Sequence, residues 1–109
     1  MHCVVETPAF IRSAEKAGMT AIEKEQAISL VAANPAAGDM IAGGGGIRKL
    51  RVPMRGKGKS GGYRVLTYYM HDDEPVFLLW VIAKSKQANL SDAQTAQLRQ
   101  VAKEIRGER

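Results

Sequence analysis

At 109 residues, with 45% of them hydrophobic, the chain is one small domain able to bury a single modest core. Sixteen Lys and Arg against eleven Asp and Glu leave a net charge of +5, a balance that points toward nucleic acid or another anionic surface. The lone Cys3 excludes an internal disulfide, and with only His2 and His71 beside it no metal site and no cofactor is expected.

The longest apolar run, residues 76–83, is about a third of a membrane span, so no membrane association is expected. No basic segment leads into an apolar stretch at the N-terminus, so no signal peptide is expected and the location is read as cytoplasmic.

Residues 3–5 read as a short strand. Thr7 and Pro8 form an N-cap and first-turn pair, Phe10, Ile11 and Ala14 make a helical stripe, and Gly18 can end that helix in the left-handed region. Thr20 with Glu23 makes a capping box for a second helix, which Asn34-Pro35 stops near Ala33. Its buried face is predicted as Ile28, Val31 and Ala32, with the two helices forming a hairpin. Residues 35–46 read as a loop, in which four consecutive glycines serve either as a flexible connector or as a point of close backbone approach.

Residues 47–54 read as a strand, with Arg48, Leu50 and Val52 on one parity and Lys49 and Arg51 on the other. Residues 55–61 are a glycine-rich loop and residues 62–70 a second strand of this group. After a turn at residues 71–74, residues 75–83 are apolar on both parities and therefore predicted as a central strand. Ser91 with Gln94 opens a last helix, whose stripe is Leu98, Val101, Ala102 and Ile105. The order β-α-α-β-β-β-α predicts an α+β domain: an antiparallel sheet of about four strands flanked by helices, with the first strand joining its edge.

The chemistry concentrates in residues 43–64. Arg48, Lys49, Arg51, Arg55, Lys57, Lys59 and Arg64 fall there, inside an acid-free zone bounded by Asp39 and Asp72. Gly56, Gly58 and Gly61 match a dinucleotide-binding spacing literally. They open a strand, however, and no helix N-terminus follows to hold a pyrophosphate. Gly58-Lys59-Ser60 likewise lacks the first glycine and the helix of a Walker A loop.

If His71 pairs near Pro75, paired positions sum to about 146. Arg64 then faces Ile82 and lies diagonal to Lys84, close enough to share one phosphate. Clustered cations lower one another's proton affinity, so Lys57 or Lys59 could serve as a base. Arg48, Arg51, Arg55 and Lys86 are candidate RNA contacts. Lys49 and Lys103 read as solvated surface charges, and Lys86 also fits that description. Tyr63, Tyr68 and Tyr69 suit sheet packing better than base stacking, Trp80 reads as core, and His71 as a turn residue.

The segment NPAAGDMIAGGGGIRKLRV, the loop RGKGKSGGYRV and the strand end VIAKSKQANLS resemble RelE/ParE superfamily toxins of bacterial type II toxin–antitoxin systems, and within them the HigB-like branch. The resemblance runs from about Glu6 to Arg106. It implies a RelE-like fold and ribosome-dependent cleavage of mRNA by a metal-independent endoribonuclease. It also implies a cognate antitoxin as partner, the ribosome and mRNA as targets, and further assembly into a higher-order toxin–antitoxin complex as an option.

By the same resemblance Lys57 and Lys59 match the loop lysines, Arg64 the strand arginine and Lys84 the basic residue at the last strand's end. These four are the candidate catalytic residues. The sequence departs from the RelE pattern after Lys84. Where a catalytic tyrosine would stand, it reads Gln87-Ala88-Asn89-Leu90. Two other activities fit the same residues: a ParE-like poison of DNA gyrase, and a non-catalytic nucleic-acid-binding module.

Overall fold

The computed structural model describes residues 2–53, 62–87 and 89–107. In chain order it holds β1 (Val4–Glu6), α1 (Pro8–Lys16), α2 (Ala21–Ala33), β2 (Asp39–Met40), β3 (Ile47–Val52), β4 (Tyr63–Tyr68), β5 (Val76–Ala83) and α3 (Asp92–Ile105). The strands form one sheet in the order β1-β5-β4-β3-β2. The α+β class is as the sequence implied, whereas β5, predicted as central, lies between β1 and β4 with β4 in the middle of the sheet, and β1 flanks only its first three residues.

Two further features correct the expectation. The sheet has five strands, because residues 39–40 pair with β3 where a loop was predicted. And β1, though it does join the edge, runs parallel to β5, with Val4 beside Val76.

The helices start where their caps stand. The Thr7 hydroxyl accepts from the Phe10 N–H at 3.2 Å and donates to the Leu78 carbonyl at 2.8 Å, so one residue both opens α1 and pins it to β5. Both capping boxes close, Thr20 with Glu23 and Ser91 with Gln94. Gly18 ends the first helical segment at φ +80°.

Strand alternation divides the core into two layers. On one face, Phe10, Ala14, Ala27 and Val31 of α1 and α2 pack on Val52, Tyr63, Val65, Leu78 and Val81. On the other, Leu98 and Ala102 of α3 pack on Ile47, Leu66, Tyr68, Leu79 and Ile82. Ile11, predicted in the α1 stripe, is exposed, and Ser13 is buried in its place. Beyond Glu6 the edge of β5 has lost its β-partner, and the Ser13 hydroxyl accepts the Val81 N–H at 2.9 Å. A buried donor is thereby satisfied by a helix instead of a strand. Trp80 is half-buried, at the rim of the core rather than inside it.

Candidate functional site

The site forms where β3 ends, β4 begins and β5 ends. Arg64, the second residue of β4, stands between Arg51 on β3 and Ile82 on β5. The Lys84 N–H donates to the Gly62 carbonyl at 2.9 Å, so Lys84 continues the β5 register opposite Gly62 and diagonal to Arg64. Lys86 follows in the exposed turn. Pairs here sum to 146, as predicted; nearer the turn Thr67 faces Leu78 and Tyr68 faces Phe77, one residue off, because β5 carries a bulge.

By alternation Lys49, Arg51 and Arg64 project from the α3 side of the sheet. Arg51 and Arg64 are directly opposed, and like charges opposed on a sheet destabilise it unless an anion or solvent intervenes. Among the described residues no acidic side chain forms a salt bridge with Lys49, Arg51, Lys84 or Lys86.

A cavity of about 170 Å³ opens beside Arg64. Lys49, Arg64, Asn89 and Thr95 give it polar walls, and Ile41, Leu66, Ile82 and Leu90 give it an apolar floor. Lys49, which the sequence marks only as a surface charge, is therefore part of the site. The signal was its parity with Arg51, which became usable only once the β3–β4 register was known. Asn89, from the segment before α3, and Thr95, from its first turn, line the cavity too, and no local pattern connects either to β4.

The other candidate residues lie elsewhere. Arg48 projects from the opposite face. Its guanidinium donates to the Tyr69 carbonyl at 2.9 Å and sits 5.9 Å from the Tyr69 ring centroid. Arg55, Lys57 and Lys59 lie outside the described residues. That segment is bracketed by Val52 and Tyr63, a cross-strand pair one rung from Arg64.

Tyr63 fixes the start of β4. It is buried, and its hydroxyl donates at 2.9 Å to Glu23, itself buried at the head of α2. Burial, and then the hydrogen bond and charge of Glu23, push the phenol up to about 12. Among the described residues no group of three His, Cys, Asp or Glu gathers as a metal site would require, and no helix is long and apolar enough to cross a membrane.

A family model described as the RelE toxin of the RelE/RelB toxin–antitoxin system matches residues 3–108. That system supplies a RelB-type antitoxin as the class of partner. The match spans β1 to α3, every strand and helix of the described residues, and the chain belongs to the RelE toxin family.

Proposed function

We propose that this toxin is a metal-independent, ribosome-dependent mRNA endonuclease of the HigB-like branch, acting in the cytoplasm and held in check by its antitoxin. The observation that carries the proposal is the opposed Arg51–Arg64 pair beside a cavity that Lys49 and Arg64 line, a concentration of cations in which, among the described residues, no acid forms a salt bridge with Lys49 or Arg51. Such a cluster is complementary to a phosphodiester whose charge grows during reaction.

In the proposed reaction the ribose 2′-oxygen attacks the adjacent phosphorus. The O2′–P bond forms and the P–O5′ bond breaks, leaving a cyclic phosphate and a 5′-hydroxyl end. Lys57 or Lys59 takes the 2′-hydroxyl proton. Arg64 and Lys84 stabilise the phosphoryl oxygens and the departing 5′-oxygen, which takes a proton from water and leaves as a hydroxyl. Arg51, Arg55 and Lys86 hold the flanking backbone as sequence-independent contacts. Arg48, engaged on the far face, is left out of this set.

The test maps new 5′ ends on mRNA in a translating extract. The parent protein is expected to create them and a folded Arg64→Ala variant is not. A folded Arg64→Ala protein that cuts like the parent would remove Arg64 from the mechanism. Early DNA breakage with intact mRNA would instead favour gyrase as the target.

A further inference from the structure

We infer that the cavity beside Arg64 receives one nucleobase of the RNA strand and that Asn89 and Thr95 read its edge. This rests on the ribonuclease function proposed above. At about 170 Å³ the cavity is of a size to take one heteroaromatic ring, with the attached sugar and phosphate remaining outside. Its composition matches a base. Leu66, Ile82, Ile41 and Leu90 offer an apolar bed for a ring face, while Lys49 and Arg64 at the wall are placed for the attached phosphate.

Edge recognition falls to the α3 side. The Thr95 hydroxyl donates to the Ser91 carbonyl at 3.1 Å, one turn back in the helix. Its proton is thus committed, and its remaining capacity is as an acceptor. The Asn89 amide offers both a donor and an acceptor. The pair is suited to a base edge that presents an N–H beside a second polar atom. Thr95 is half-buried and its helix is fixed by the Ser91–Gln94 capping box, so the reading group is held in place before RNA arrives.

The test compares Thr95→Val and Asn89→Ala with the parent in a translating extract, by mapping cut ends and tallying the base at each position around them. Thermal melts establish that both variants are folded. Thr95→Val keeps the side-chain volume and removes only the hydroxyl. Cutting at the parent's favoured base is expected to fall by a few-fold to about tenfold relative to the other bases, flattening the preference at one position. Cut ends whose base distribution matches the parent's would overturn the base pocket and leave the ribonuclease proposal standing. Folded variants that lose cutting at all bases equally would also overturn it, by assigning these residues to the chemistry. A parent that makes no new ends at all would overturn the ribonuclease proposal itself, and the base pocket with it.

Discussion

At one end of the sheet Arg48 and Arg106 turn their guanidinium groups onto the protein. At the other, Arg51 and Arg64 face each other across β3 and β4. Arg48 donates to the Tyr69 carbonyl, and Arg106 donates to the Gly45 carbonyl at 2.8 Å while lying 5.8 Å from the Tyr68 ring centroid. Acids crowd the same end. Asp72 accepts from the Tyr69 hydroxyl at 2.7 Å, which raises the Tyr69 pKa, and Glu74 lies 3.8 Å from His71. The contrast teaches that arginine count says little. An arginine whose donors meet backbone carbonyls and a ring face is a structural part, whereas two arginines held opposite one another on a sheet repel and suit an incoming anion.

The largest test of that contrast is Arg64→Ala. Cutting should fall by roughly 10²–10³ with little change in melting temperature, since the group acts on developing charge. Measured initial rates beside a melting curve decide it. A destabilised protein with normal cutting would make Arg64 another structural arginine.

Next is Tyr63→Phe, which removes one donor from buried Glu23 while the Thr20 N–H still caps it, and should cost about 1–3 kcal/mol in a denaturant titration. The same contact carries a pH signature. With its pKa raised to about 12, the folded state keeps a proton that the unfolded chain releases near pH 10. Its stabilisation is complete below about pH 10 and is lost as pH climbs through 12, a range worth up to about 3 kcal/mol. In Tyr63→Phe that part of the alkaline slope should disappear.

Arg48→Ala should show the reverse of Arg64→Ala: a loss of about 1–2 kcal/mol of stability with cutting retained once the protein is folded. The finest discriminator is salt. Each phosphate contact to single-stranded RNA contributes about 0.7 to the logarithmic salt slope of binding. Arg51→Ala and Lys86→Ala should each lower the slope by about that amount, and Arg48→Ala should leave it unchanged. Equal slopes for all three would erase the distinction between the two ends.

Much of this arrangement was legible in the sequence. Caps placed all three helices because Thr7, Thr20 and Ser91 act locally. The Arg64–Ile82 pairing was also read correctly, but partly by fortune. The predicted register is one residue off near the turn, and the β5 bulge, which no pattern announced, restores it at the site. What escaped depends on tertiary proximity. β2 is two residues long and has no alternation of its own; it forms because Gly38, at φ +93°, lies so close to β3 that a Cβ would come within 2.5 Å of the Lys49 carbonyl. Likewise the capping box of Glu23 was visible, but not its burial against Tyr63. The cavity unites β3, β4, β5 and α3, and the β3–β4 register could not be counted across the residues that separate Val52 from Tyr63.

The parallel pairing of β1 with β5 bears on how the molecule is made. Val4 finds its neighbour at Val76, a closure across most of the chain that must be formed before it is rewarded. On a ribosome the N-terminal strand and both following helices emerge long before β5, on which they lean. Until β5 is released, Arg64 has no Ile82 beside it and Thr7 has no Leu78 carbonyl to hold. Synthesis order therefore builds in a delay, and the cationic site is assembled only when most of the chain has left the exit tunnel.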